Sequence, residues 1–302
     1  MLTHLYVDSS INNDTGVGTT GDPYGRLSYA FSQNPTLPAS TLTVFNVKGT
    51  TRNSPETGIS SLPTGGSLPN QGMIAPYTGV PFDTTGLVYL DFGTIDAWTD
   101  INLDWWTFSH IHFSGGTGVD GFRMVADLDN NINFRDCIFQ GTYFLGDNSL
   151  TYERCQWLDM NPTDLFIKAS SAGRVRDSYI EISGTSPPNI LAQITTVENN
   201  IFYIKGNTDS LIGQQTSIGN WTHNIIYYGA GATGLRRAMV MDDAHTCRYN
   251  YIEGADVAFY VQNSCKWMEM QNNVVYNVGN VSGGGNGETT INLSFIQDYD
   301  DN

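Results

Sequence analysis

One six-residue phrase, written seven times between Asn131 and Asn280, constrains this chain more than any other feature. Its first copy is Phe134-Arg135-Asp136-Cys137-Ile138-Phe139: an apolar residue, two polar residues, a small or amide residue, then two large residues. It returns at Tyr152–Trp157, Val175–Ile180, Val197–Phe202, Trp221–Ile226, Cys247–Ile252 and Met270–Val275. The fourth position reads Cys137, Cys155, Ser178, Asn200, Asn224, Asn250 and Asn273, at spacings of 18, 23, 22, 24, 26 and 23 residues. A period in the low twenties with strand-like content marks stacked coils rather than a closed sheet.

Each coil of such a stack needs three short strands and their turns, and neighbouring coils pair through a parallel ladder about 4.8 Å apart. Residues at one phase then lie directly over one another. Asn200, Asn224, Asn250 and Asn273 are expected to form an amide ladder inside a turn, each side chain bonding to the next. Asn also tolerates the left-handed backbone that such a turn demands, so the ladder residue is expected to carry that conformation.

Composition removes several function classes. The net charge is −16, from 30 acidic and 14 basic side chains, and only four lysines are present; a nucleic-acid-binding surface needs clustered cations. No apolar run reaches transmembrane length, and Met1-Leu2-Thr3-His4 opens without a basic-then-apolar leader. The expectation is a soluble protein with no membrane partner. The cysteines lack metal-ligand spacing, so neither a metal nor another cofactor is expected. Cys137 and Cys155 share a ladder phase in adjacent coils, within reach of a disulfide, although small buried thiols in a reducing cytosol is the preferred reading.

From the N-terminus, Leu5-Tyr6-Val7-Asp8 reads as a strand, followed by a Gly/Asn/Thr-rich loop and a short helix from about Arg26 to Gln33. Leu27, Ala30 and Phe31 fall on one face of that helix, which suits a lid over the open end of a solenoid. Tyr6-Val7-Asp8, then Gly18-Thr19-x-x-Asp22-Pro23-Tyr24 and a short helix, resembles the opening of right-handed parallel β-helix proteins of the pectate-lyase-like superfamily. Leu42–Gly49 resembles their first coil, and the likeness to phage tailspike and capsid-decoration β-helices is the nearest. The fold class expected is therefore all-β: a right-handed single-stranded parallel β-helix (solenoid) with a short N-terminal helical cap. The expected organisation is a cap over residues 1–35, the β-helix over 36–280, and a Gly-rich linker with a C-terminal strand and acidic tail over 281–302. Within that last segment Ser282–Gly287 reads as flexible linker and Thr289–Ile296 as the strand.

Alternation along the strands puts the residue two after the ladder position in the core and the residues one and three after it outside. The outward row should be polar. Instead it holds Ile138, Leu158, Tyr179, Ile201, Tyr203, Ile225, Tyr227, Tyr251, Val274 and Tyr276. A monomer rarely leaves so large an apolar stripe in water, and the expectation is a subunit interface, most naturally of a homotrimer.

Catalytic sets are incomplete. Asn207-Thr208-Asp209 and Asp242-Asp243 resemble motifs of polygalacturonase-like glycosidases on this fold, where paired carboxylates act as acid and base. The Gly-His-Gly and Arg-Ile-Lys partners of that site are missing, and His245 stands outside such a motif. Arg236-Arg237 is the one candidate for a lyase base. Asp91, Asp96, Asp100 and Asp104 with Trp98, Trp105 and Trp106 form an acidic and aromatic patch, for which core or interface packing is the commoner role. The reading leans away from an enzyme. It is a non-enzymatic phage virion structural protein: a trimeric capsid decoration (cement) protein or short spike, assembled in the host cytoplasm, whose partners are itself, the major capsid protein or other virion proteins, and a surface glycan. The alternative is a tailspike-type depolymerase, a glycosidase or lyase using Asp209, Asp242 and Asp243, or a glycan-binding adhesin.

Overall fold

The computed structural model describes residues 1–8, 10–11, 13–38, 41–48, 63, 71–79, 86–91, 106–114, 122–124, 132–140, 144–146, 150–160, 167–183, 191–205, 210–212, 219–232, 236–241, 244–261, 267–284 and 290–299. The strands pair parallel, as the sheet of a right-handed parallel β-helix requires. By contacts the chain divides into two compact units, Met1–Cys155 and Gln156–Asn302.

In the first unit, β1 (Leu2–Asp8) pairs in register with β2 (Leu42–Lys48), and β2 with β3 (Gln71–Pro76). The strand β1 is thus already a rung of the sheet, and α1 (Leu27–Gln33) packs onto its core. Trp106–Ser109, Ile132–Arg135 and Leu150–Glu153 continue the row. A second row holds Val88–Asp91, Ile111–Ser114 and Ile138–Gln140, and a third pairs Phe122–Met124 with Phe144–Gly146. The helix starts one residue later than expected and has no side-chain N-cap bond. Packing holds it instead: Leu27, Ala30 and Phe31 are buried, and the Phe31 ring meets Phe45 and Trp106 edge-on at 5.0 and 5.7 Å. Trp106, part of the aromatic patch in the sequence, is fully buried and donates its indole N–H to Pro63 O at 3.3 Å. Gly72 faces it; a Cβ there would sit 2.5 Å from the indole ring, so only glycine fits.

In the second unit, Leu191–Glu198, Gly219–Thr222, Ala244–Arg248 and Trp267–Tyr276 follow one another in one row. Tyr179–Ile182, Ile201–Ile204, Ile225–Tyr228, Tyr251–Glu253 and the second half of Trp267–Tyr276 make the next. A third contains Ser210–Ile212, Arg237–Met241, Val257–Val261 and Asn280–Gly284. That last strand corrects the expected linker: Ser282, Gly283 and Gly284 pair with Phe259, Tyr260 and Val261. Ladder bonds use the backbone, so glycines can carry a rung that shows no side-chain alternation. The final strand, Thr290–Tyr299, pairs with Trp267–Tyr276 and runs three residues beyond the expected end into the acidic tail.

The phrase builds a corner. Its third residue is left-handed in every copy: Asp136, Arg154, Asp177, Asn199, His223, Tyr249 and Asn272 have φ between 52° and 58°, and His110, at the matching place in the looser run Phe108–Phe113 with Ile111 at the ladder position, has 55°. This corrects the expectation that the ladder Asn would hold that conformation. The left-handed region costs an ordinary side chain about 1–2 kcal/mol, and hydrogen bonds across the coils compensate. Asn199 N–H donates to Thr222 O, and His223 N–H to Arg248 O, both at 3.1 Å. The ladder residue's carbonyl is also used, as in Tyr251 N–H to Asn224 O at 2.8 Å. The inward N–H groups of Ser178, Asn200, Asn224 and Asn250 go instead to a side chain of the next coil.

That inward N–H explains the asparagine. Asn224 Oδ1 accepts from the Asn200 N–H and from Asn200 Nδ2, both at 3.1 Å, while Asn224 Nδ2 donates to Val197 O at 2.9 Å. Asn250 and Asn273 repeat the arrangement on Asn224 and Asn250 at 3.0 Å. Ser178 starts the series by giving its N–H to Asn200 Oδ1 at 3.0 Å. All four asparagines are buried, so each amide satisfies groups that water cannot reach.

Candidate functional site

The outward row of the second unit is the most distinctive surface among the described residues. Tyr179, Ile201, Ile225, Tyr251 and Val274 stand in register on five successive coils, and Glu181, Tyr203, Tyr227, Glu253 and Tyr276 stand beside them, two residues further along each strand. Between the two files run the core residues Ile180, Phe202, Ile226, Ile252 and Val275, which are fully buried. Alternation therefore turns both files outward. Ile201 is 44% exposed, Ile225 43% and Tyr227 37%; Tyr179, Tyr203, Tyr251, Val274 and Tyr276 are half-buried, as is Leu158 further up the row. Ile138, in the first unit, is half-buried as well.

The side chains of this face support one another. Tyr203 and Tyr227 stack at 5.4 Å with an interplanar angle of 26°. Lys205 lies 5.1 Å from the Tyr203 ring centre and bonds Glu181 at 2.6 Å. Tyr179 and Tyr251 donate their hydroxyls to Glu181 and Glu253 at 3.0 and 2.8 Å. Burial and then the Glu253 bond push the Tyr251 phenol up to about 12, so it stays a donor at neutral pH. The Glu181 and Glu253 carboxylates are thus tied to the Tyr179 and Tyr251 hydroxyls. Chemically the face offers aliphatic and aromatic area, with Lys205 paired to Glu181 and the Glu253 carboxylate hydrogen-bonded by Tyr251, which suits a partner of like character and not a charged substrate.

The corner residues form a separate outward file. In the first unit Arg154 holds Asp136 with two bonds, at 2.7 and 2.9 Å. The Arg154 bond, ahead of an opposing effect of burial, lowers the Asp136 pKa. In the second unit the same phase carries a hydrogen bond from Asn199 Nδ2 to Asp177 Oδ1 at 3.2 Å and a ring stack of His223 on Tyr249 at 4.9 Å.

Cys137 and Cys155 are buried thiols, not joined in a disulfide, in the first unit's ladder phase. They donate to Phe108 O and Phe134 O, both at 3.5 Å, the carbonyls that correspond to those the asparagines bond. The Ile111 N–H in turn points at Cys137 sulfur. Burial, followed by the neighbouring Cys155, pushes the Cys137 thiol pKa well up, so it is no nucleophile.

The acidic candidates Asp209, Asp242 and Asp243 lie outside the described residues, as do Asp96, Trp98, Asp100, Asp104 and Trp105. Arg236 is engaged by Asp256, through its own N–H at 2.9 Å, Nε at 3.2 Å and Nη2 at 2.7 Å. Arg237 lies over the Tyr260 ring at 4.3 Å. The Asp256 bonds raise the Arg236 pKa, with burial opposing, which leaves Arg236 a structural cation and no base. No group of three or more potential metal ligands comes together among the described residues.

No protein-family model matches the chain, and no curated protein does. Two solved structures are similar, both of the GH136 lacto-N-biosidase from Eubacterium ramulus. The native protein gives a TM-score of 0.36 and the selenomethionine derivative 0.38, each at 10% identity and covering 96% of this chain and 68% of the other. Likeness at this level gives the chain neither a family nor an activity.

Proposed function

We propose that this chain is a non-enzymatic structural protein that assembles as a homotrimer through the outward row of its second unit, and that the assembly serves as a capsid decoration protein or short spike on a virion. One observation carries the reading: Ile201, Ile225 and Tyr227 are exposed on an in-register sheet face where alternation calls for polar residues. The surrounding tyrosines are pre-ordered by their bonds to Glu181 and Glu253, so covering them costs little side-chain entropy. A rigid ladder with such a face bridges neighbouring subunits and adds buried area to a particle. The major capsid protein is the partner this role implies. Light scattering on the eluting protein tests the assembly: three 33.2 kDa chains give about 100 kDa. Co-sedimentation with purified phage particles tests the role, and particles lacking the protein should rupture at a lower temperature.

A further inference from the structure

A hollow of about 340 Å³ opens in the first unit where β1 and β2 end and the chain leaves β3. Strand register builds its wall. Asp8 lies opposite Lys48 across the β1–β2 ladder, Val47 lies opposite Pro76, and Tyr77 donates its N–H to Val47 O at 2.9 Å. Asp8, Lys48 and Tyr77 therefore occupy one phase of three successive coils. The preceding loop is pinned alongside by Tyr6 N–H to Gly18 O at 3.0 Å, Tyr24 N–H to Tyr6 O at 2.9 Å and Asp8 N–H to Tyr24 O at 2.8 Å. That bracing puts Thr20 and Pro23 on the rim. A second hollow of about 260 Å³ shares Lys48, Tyr77 and Thr78 and reaches Gly86 and Leu87. The two hollows thus share the wall that Lys48, Tyr77 and Thr78 make.

The chemistry of the wall narrows what it can hold. Lys48 bonds Asp8 at 3.0 Å; the Asp8 side chain is 13% exposed and the Lys48 side chain 59%. Burial acts to raise the Asp8 pKa, but bonds from Ser10 Oγ at 2.5 Å, from Lys48 and from the Ser10 N–H at 3.1 Å outweigh it, so the group stays ionised. The pair is neutral as a unit. An anionic ligand would meet the Asp8 carboxylate, and a cationic one the Lys48 ammonium. A purely apolar ligand would strip water from both without replacing their bonds. What remains is a neutral molecule dense in hydroxyls, each able to donate to a carboxylate and accept from an ammonium, with C–H faces to lie on a phenol ring. Tyr6 and Tyr77 supply the rings, edge to face at 5.1 Å.

We infer that this cleft is a binding site for a neutral oligosaccharide, one sugar ring lying against Tyr77 and its hydroxyls bridging Asp8 and Lys48, with the chain continuing into the second hollow. The site is on the first unit and does not depend on the assembly face. A glycan array of neutral and uronate-containing oligosaccharides, probed with the full chain, should retain neutral glycans. Calorimetric titration with the strongest neutral binder should then give a Kd raised about tenfold or more by Tyr77→Ala or Lys48→Met, and little changed by Tyr77→Phe. Tyr227→Ala on the outward row should leave the Kd where it was. Failure to retain any neutral glycan would overturn the inference. So would preference for uronates, or an unmoved Kd in a Tyr77→Ala protein whose circular dichroism matches the parent. None of these results bears on the trimer, which light scattering reads separately.

Discussion

The two units turn the same corner with different chemistry. In Met1–Cys155 the ladder phase holds Ile111, Cys137 and Cys155, and stability comes from rings: Phe108, Phe134 and Tyr152 stack at 4.9 and 5.1 Å, and Phe113 stacks on Phe139 at 5.1 Å, meeting the first file edge-on. In Gln156–Asn302 the corresponding core file is Val175, Val197, Trp221, Cys247 and Met270, and the ladder phase is Ser178 followed by four asparagines. The backbone problem is the same, an inward N–H at each corner. A sulfur meets it weakly where aromatic stacking is dense, and an amide meets it fully where the core is more aliphatic. The outward faces differ too. His112 bonds Gln140 at 3.0 Å beside Tyr89 in the first unit, whereas the second presents Ile201, Ile225 and its tyrosines. Regular amide bonding and an apolar outer face occur together in the second unit, which is what a precise packing surface needs.

Substitutions can break that contrast. Phe134→Ala removes the ring between Phe108 and Tyr152 and should cost about 3–5 kcal/mol, read as a lowered urea midpoint. Asn224→Leu should cost about 2–4 kcal/mol, because it strands the Asn200 N–H and the Val197 carbonyl in the core. A loss below about 0.5 kcal/mol would mean that the amide ladder is ornamental. Asn250→Cys transplants the first unit's solution into the second and should cost about 1–2 kcal/mol, less than Asn224→Leu, since a thiol still donates to Trp221 O but accepts poorly. The smallest effect concerns acid. The Asp136 pKa lies below its ordinary value of 3.8 in the folded chain, so the unfolded chain takes up the proton first as pH falls. The Arg154–Asp136 pair therefore adds stability above about pH 3.8 that disappears as pH drops through the lower folded value. Arg154 is 49% exposed, which keeps the contribution below about 1 kcal/mol. Melting curves from pH 6 to pH 2 for Asp136→Asn should lack that small acid-dependent component.

Much of the fold was legible because the phrase fixes phase. Once Cys137 through Asn273 are aligned, Phe139, Trp157, Ile180, Phe202, Ile226, Ile252 and Val275 must face inward, and all are buried. The left-handed residue was not legible. It is Asp, Arg, Asn, His or Tyr in different copies, so the corner's hydrogen bonds impose the conformation and residue preference does not. The Gly-containing strand Asn280–Gly284 was hidden because glycine carries no alternation. The cleft at Asp8, Lys48 and Tyr77 was hidden for another reason: 40 and 29 residues separate its members, and only the pairing of β1 with β2 and β2 with β3 brings them into one phase. The outward row was visible as a pattern, but its pairing of tyrosine hydroxyls with Glu181 and Glu253 needed coordinates.

The central claim is that the second unit's outward row joins copies of this chain, and one comparison tests it most directly. Light scattering at micromolar concentration should give about 100 kDa for the parent and for His112→Glu on the first unit, and about 33 kDa for the double substitution Ile201→Glu and Ile225→Glu, which buries two unpaired charges if the face closes. A parent that elutes at 33.2 kDa, or a double variant that remains at the parent's mass, would contradict the account.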